Sequence, residues 1–376
     1  MLNLDPRTLI LITGVMGLLM SMVMFAFRRN CPPSMHGLRE WAMAPLVLFF
    51  GTVITALRGT ALDALAIMLS NALFFGGMYL TYEGSQRFFG VEPRPRRWIG
   101  FMGACWVAIA WFTMVEVNYQ VRLFIFTLCM MLLMGVHAWL LLRHAPQTFS
   151  GRLALMVMVI STAVQLMRCV TSVLLPAGDG MFDRSPVHVV YLTSYSFTIL
   201  LVTISQVLMA TDRMRLEFEH LANHDSLTDA FTRRHMNEAI QLELDRTVRH
   251  GRSIALLIMD LDHFKTVNDT YGHQTGDHVL MEFVATVKTT LRKPDQLGRF
   301  GGEEFIVLLP ESNHESALRT AERIRQAVAS SRQPSCTVSI GVTVSLSGDS
   351  INSLVARADA AMYRAKDLGR NRVEIG

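Results

Sequence analysis

The chain has 376 residues, 51% of them hydrophobic, with 35 basic and 31 acidic side chains and a formal net charge of +4. Charge is divided unevenly: residues 1–210 hold fourteen arginines, no lysine and eight acidic residues, whereas residues 211–376 hold 21 basic and 23 acidic groups. The basic surplus therefore sits in the apolar half, which argues against a nucleic-acid polymer as partner and for the arginine-marked loops of a membrane protein.

That half breaks into seven apolar runs, each close to the ~20 residues a helix needs to cross a bilayer. They are Thr8–Phe27, Trp41–Leu57, Ala61–Tyr82, Trp98–Val115, Leu123–Leu142, Leu153–Leu175 and Val187–Ala210. Arg28, Arg29 and Arg39 follow the first run, Arg87, Arg94, Arg96 and Arg97 the third, and Arg143 and Arg152 the fifth. The alternate segments carry one each, Arg7, Arg58, Arg122 and Arg184. Basic loops stay in the cytoplasm, so the expectation is a multi-pass protein of the bacterial cytoplasmic (inner) membrane, N-terminus outside and charged domain inside. The lipid bilayer is then an expected partner. The first run is too long for a removable signal peptide and lacks a small-residue cleavage site.

Asp63, His137, Gln165 and Arg168 fall inside these runs. Ionisable groups are costly in a bilayer and often mark a binding site. Asp63 is close enough to an end to reach water, and His137 reads as a hydrogen-bonding group between helices. Arg168 is the residue for which a ligand or coupling role is the sharper expectation. Cys31, Cys105, Cys129, Cys169 and Cys336 form no Cys-x-x-Cys pair, and no metal-ligand spacing is found.

From Thr211 the chain turns charged and helical. Met214, Phe218 and Leu221 recur at spacings of four and three, the apolar stripe of a short amphipathic helix that either pairs with its copy or acts as a spacer. The expected domains are thus 1–210, a helical linker 211–224, and 225–376. The last reads as alternating elements: helix Arg234–His250, strand Ser253–Asp260, helix Gly276–Arg292, strands Leu297–Phe300 and Phe305–Leu309, helix Ser312–Ser330, strand Cys336–Leu346, helix Ile351–Leu368 and strand Asn371–Ile375. This is the pattern of one α/β domain, and no Gly-rich strand-to-helix phosphate loop is present.

Two places carry chemistry. The first strand ends in Asp260 and Asp262, which alternation sends to one face with Leu261 on the other. Asp262 also reads as a helix cap. A carboxylate closing an apolar run, as Asp260 does, needs a cation or hydrogen bonds to offset its desolvation. The second is the hairpin Gly301-Gly302-Glu303-Glu304-Phe305, whose turn carries two acids. If the hairpin lies beside the strand, Glu303 approaches Asp260, and such hard oxygen ligands suit Mg²⁺.

With these motifs in order, Asp225-x-Leu227-Thr228, the Asp260 to Asp277 block, the hairpin and "DAAMYRAKDLGRNRV", the chain from about residue 225 to 372 resembles the GGDEF family of diguanylate cyclases. This resemblance bears on the second half only; with the apolar runs, the fold expected is a multi-span α-helical membrane domain followed by an α/β (α+β, nucleotidyl-cyclase palm-like) GGDEF domain. The resemblance implies condensation of two GTP into cyclic di-GMP with release of two pyrophosphates. It assigns metal ligation by Asp260, the Leu261 carbonyl and Glu303 to Mg²⁺, with Mn²⁺ as an alternative, and catalytic roles to Glu303 and, less directly, Glu304. Gly301 and Gly302 would let the triphosphate lie on bare backbone. Asn268 and Asp277 match the guanine-reading pair, an aspartate accepting from donors that adenine lacks. Lys265, Lys366 and Arg370 match phosphate-steadying positions, and His273 a nucleotide contact. Arg299, before the turn, has a structural reading.

Arg292-Lys293-Pro294-Asp295 lies at the family's spacing for its Arg-x-x-Asp product-inhibition motif. Arg292 can read guanine with two parallel donors, and Asp295 completes that allosteric site for cyclic di-GMP. One departure stands out: after Thr228 the family usually continues Gly-Leu-x-Asn-Arg-Arg, whereas this chain has Asp229-Ala230-Phe231-Thr232-Arg233-Arg234. The two-fold symmetric product implies a homodimer. The principal reading is a membrane-bound cyclase under sensory control and product inhibition; the alternatives are a catalytically silent receptor for cyclic di-GMP or GTP, and a transporter with a regulatory tail. No phosphodiesterase domain is expected after Gly376.

Overall fold

The computed structural model describes residues 5–58, 63–174, 186–330 and 336–376, and the chain divides into two compact units, Met1–Arg215 and Leu216–Gly376.

Among the described residues, seven helices build the first unit: α1 Pro6–Arg29, α2 Leu38–Ala56, α3 Asp63–Phe88, α4 Pro95–Met114, α5 Tyr119–His144, α6 Phe149–Leu174 and α7 Pro186–Asn223. Each is long and apolar enough to cross a membrane. They match the expected runs with edges moved by a few residues. The expected third-run start at Ala61, the sixth-run end at Leu175, and Arg184 lie outside the described residues. The linker expected from Thr211 is no separate element: α7 continues through it to Asn223, because no glycine or proline interrupts a stretch of good helix formers. Met214 packs against the core of the first unit, whereas Phe218 and Leu221 are each 61% exposed.

Polar groups stitch the bundle internally. Trp41, fully buried on α2, donates from Nε1 to Ser85 Oγ at 3.2 Å, and Ser85 Oγ lies 2.8 Å from His137 Nε2 on α5. His137 is therefore the inter-helix hydrogen-bonding group its position suggests. Asp63 is the first residue of α3, with Arg58 Nε 3.7 Å away.

The second unit is a six-stranded mixed sheet with helices on both faces. Its elements are β1 Phe231–Thr232, α8 Arg233–His250, β2 Ala255–Leu261, α9 Phe264–Tyr271, α10 His273–Thr290, β3 Gln296–Gly301, β4 Glu304–Leu309, α11 His314–Ala329, β5 Val338–Val344, α12 Ile351–Asp367 and β6 Val373–Ile375. Strand order is β1-β3-β4-β2-β5-β6. The β1/β3 and β5/β6 pairs are parallel, the other three antiparallel.

Central strand β2 shows why the order holds. Every residue in it is buried, and alternation splits them between two cores. Leu257, Met259 and Leu261 join Phe283 of α10 and Ile324 of α11, while Leu256 and Ile258 join Met236 of α8 and Met362 of α12. Asp260 continues the Leu256 and Ile258 series, so it emerges on the α8 and α12 side.

Candidate active site

Asp260 is the next-to-last residue of β2 and only 6% exposed. Its cross-strand partners are Glu304 on β4 and Ser339 on β5. Register thus brings the hairpin turn to the end of β2, where Leu261 N donates to Glu303 O at 3.4 Å. From α12 the Lys366 ammonium reaches Asp260 Oδ2 at 2.8 Å. Burial pushes the Asp260 carboxyl above its ordinary range; Lys366 pulls it back, and the like charges of Glu303 and Glu304 add to the rise.

Two glycines open the turn. A Cβ at Gly301 or Gly302 would meet nothing within 4 Å, so packing demands neither. Gly302 has φ +48°, a conformation glycine adopts freely. What the pair leaves is uncovered backbone beside three carboxylates. Arg299 holds the turn from behind: Nε and Nη2 donate to Gly302 O at 2.9 and 2.7 Å, and Nη1 reaches Asp225 Oδ1 at 2.9 Å. Burial alone would raise the Asp225 carboxyl, but bonds from Thr228 and Arg299 outweigh it and hold it below the ordinary range. The structural reading of Arg299 stands.

Asp262 has a different job from the helix cap considered for it. Its carboxylate accepts from Thr337 Oγ1 at 2.7 Å, Ser339 Oγ at 2.6 Å and Asn371 N at 3.0 Å, fastening the end of β2 to β5 and to the chain entering β6. Helix α9 caps at His263 instead, without a side-chain bond. Cys336 Sγ donates to Asp262 O at 2.9 Å. Its thiol is pushed up to about 12 by burial first, then by Asp262, Asp260 and Glu303.

The remaining candidates flank this centre. Asn268 and Lys265 lie on α9, His273 and Asp277 in the first turns of α10, and Arg370 just beyond α12. Asn268 Oδ1 sits against Gly276, where a Cβ would lie 1.9 Å from it. Lys265, His273, Asp277 and Arg370 are exposed and take no part in the bonds that draw Asp260, Leu261, Glu303 and Lys366 together. Arg292 and Asp295 form a tight turn before β3: Arg292 N donates to Asp295 Oδ2 at 2.8 Å and Asp295 N to Arg292 O at 3.0 Å. The Arg292 side chain is exposed.

Two features were not read from sequence. Helix α9, which carries Lys265 and Asn268, has unremarkable composition. A cluster of His220, His224 and Asp229 brings ligand atoms within 4.8 Å of one another. Cysteine spacing could not reveal it: His220 and His224 stand four apart on α7 and so share a face. Asp229, in the position where the family usually has glycine, takes φ +55°. Lys288 Nζ holds it there, 2.8 Å from its carbonyl and 3.2 Å from Oδ2. The departure is thus absorbed by a residue tolerant of the left-handed region.

Chemically, a buried acid and two acids on a bare turn, offset by one ammonium, form a donor set of hard oxygens with negative surplus. Oxygen donors of this kind suit a divalent cation such as Mg²⁺.

Residues 222–372 match the family model described as diguanylate cyclase, GGDEF domain. The chain is 43% identical over 171 residues to the diguanylate cyclase DgcM of Escherichia coli (strain K12), covering 43% of this chain and 41% of that protein. It is 39% identical over 175 residues to the response regulator PleD of Caulobacter vibrioides, covering 43% and 38%. The match thus spans about two fifths of the length of these curated relatives. Among solved structures, the GGDEF domain of DgcB from Caulobacter crescentus in complex with c-di-GMP is 35% identical, with 41% of this chain and 93% of that one covered and a TM-score of 0.40. By sequence, the C-terminal domain of this chain belongs to the GGDEF family of diguanylate cyclases.

Proposed function

We propose that the chain is a membrane-bound diguanylate cyclase that condenses two GTP into cyclic di-GMP and two pyrophosphates, under control of its helical region and of its own product. The observation that carries this reading is the approach of the Glu303 turn to the end of β2, beside Asp260 and Lys366. The 3′-hydroxyl of each nucleotide attacks the α-phosphate of the other; its proton goes to Glu303, and pyrophosphate leaves. Gly301 and Gly302 seat the triphosphate, Asn268 and Asp277 hold guanine, and Lys265, Lys366 and Arg370 steady the phosphates. His273 adds a nucleotide contact, and Glu304 supplies a second acid at the turn. Bound Mg²⁺ at Asp260, the Leu261 carbonyl and Glu303 would neutralise charge on the transferring phosphoryl group.

A two-fold product needs two nucleotides face to face, so the working form is a homodimer. The exposed Phe218 and Leu221 on α7 support pairing of copies at that helix. Seven apolar helices support residence in the cytoplasmic membrane, and the arginine bias supports a topology with the N-terminus outside and the GGDEF domain in the cytoplasm. Arg292 and Asp295 form the product site.

Purified full-length protein in detergent, incubated with GTP and Mg²⁺, is expected to yield cyclic di-GMP and pyrophosphate, and Glu303→Gln to lower the rate by about 10²–10⁴-fold. Unchanged GTP with bound cyclic di-GMP would instead identify a silent receptor.

A further inference from the structure

The helical unit contains a cavity of about 180 Å³ lined by residues of α1, α2, α3, α5, α6 and α7. Since one water occupies ~10–15 Å³ on this measure, the space suits roughly a dozen non-hydrogen atoms. Three arginines reach it, Arg58, Arg122 and Arg168, and none of its described lining residues is acidic. Asp63 lies near Arg58, with 3.7 Å between Oδ1 and Nε. Among the described residues, one carboxylate beside three guanidinium groups leaves a positive surplus in an apolar bundle, which is costly unless an anion offsets it.

Asp63 also attracts Arg122, but the hydrogen-bond partners of Arg122 and Arg168 among the described residues are neutral. Arg168 Nη2 donates to His188 Nδ1 at 2.9 Å, which requires that nitrogen to be unprotonated, and the Arg168 guanidinium lies 4.7 Å from the Tyr191 ring centre. Arg122 Nη1 contacts Thr113 Oγ1 at 3.4 Å, while its Nε is buried without a partner. The hydroxyls of Tyr191 and Tyr195, also on the lining, are buried and unpartnered. Unsatisfied donors of this kind are rare in a settled interior. Phe74 and Phe126 supply apolar wall.

We propose that this cavity binds a small organic oxyanion, a carboxylate or phosphate group on an apolar body. Arg122 and Arg168 take the anionic group, Tyr191 and Tyr195 donate to it, and the phenylalanine side receives the apolar part. The lining comes mainly from the early parts of α1, α3, α5 and α7 and the late parts of α2 and α6, which is the outer side under the topology proposed above. The binding inference does not rest on cyclase activity.

All five tryptophans lie between Trp41 and Trp139, so their fluorescence reports unfolding of the helical unit alone. Full-length protein in phospholipid-free detergent would be titrated with phenylacetate, its neutral analogue phenylacetamide, and dihexanoyl phosphatidic acid, at constant ionic strength. At saturation an anion is expected to raise the unfolding temperature by about 3–6 °C, and the amide not to. A shift with phenylacetate assigns a free acid; a shift with the phosphatidic acid alone assigns a lipid headgroup. Arg122→Gln and Arg168→Gln should each lose most of the shift, Arg122→Lys part of it, and Arg143→Gln, outside the lining, none. The proposal is overturned if neither anion shifts the wild type, if the amide matches the acid, or if the arginine variants respond fully.

Discussion

The Lys366 ammonium lies 2.8 Å from the Asp260 carboxylate, so the acid near the end of β2 already has a cation beside it. A charged phosphate or metal ligand entering the site must share or release that contact. Lys366 also offsets part of the rise that burial imposes on the Asp260 carboxyl. Lys366→Met should therefore let Asp260 take up a proton at higher pH. Because the charged form is the one the chemistry needs, activity would be lost earlier as pH falls, with the acid limb of the rate profile moving to higher pH. Lys366→Arg should restore the limb. Rates of product formation across pH at fixed saturating Mg²⁺ check this; an unmoved limb in the methionine variant would sink it.

Asn268 and Gly276 are a matched pair. Because a Cβ at Gly276 would fall 1.9 Å from Asn268 Oδ1, Gly276→Ala should displace the asparagine without deleting it. We expect KM for GTP to rise about tenfold, with kcat much less affected, the signature of lost binding that is uniform through the reaction. Initial rates over a GTP series measure it, and equal losses in Gly276→Ala and Asn268→Ala would support a shared cause.

Arg292 and Asp295 separate turn from side chain. Since Asp295 Oδ2 accepts from Arg292 N, Asp295→Asn preserves an acceptor for the turn. Arg292→Ala is expected to relieve inhibition by added cyclic di-GMP by about tenfold or more in half-inhibitory concentration, with the initial rate unchanged. Full inhibition of the variant refutes the product site.

Stability in acid should depend on Asp349. Its carboxylate takes two bonds from Arg357, at 2.8 and 2.7 Å, with one more each from Leu346 N and Ser353 Oγ. The bonds from Arg357 lead in holding it far below the ordinary carboxylate range. A depressed acid stabilises the fold above its unfolded value, near 3.8, and loses that contribution as pH falls below it. Asp349→Asn should cost about 2–3 kcal/mol at pH 7, read as faster hydrogen exchange in β5 and α12. The gap to wild type should close below about pH 4.

Much of this was legible in one dimension. Seven apolar helices followed from run length and composition, and β2 and β5 from short buried runs. The acids at Asp260 and Glu303 were recognisable because the motifs holding them are contiguous. Helix α9 was not, since Thr266, Val267, Asn268, Asp269 and Thr270 are poor intrinsic helix formers. It forms because Phe264 and Val267, three apart, bury together in the core.

The order of residues by itself determined which segments are apolar, where the chain turns, and which acids close a strand, because these depend on neighbours along the chain. Only the tertiary structure decided that Lys366 meets Asp260, that Arg299 clamps the turn to Asp225, and that Arg58, Arg122 and Arg168 share one cavity. Each joins residues distant in sequence, through helix packing and strand register that local periodicity cannot encode.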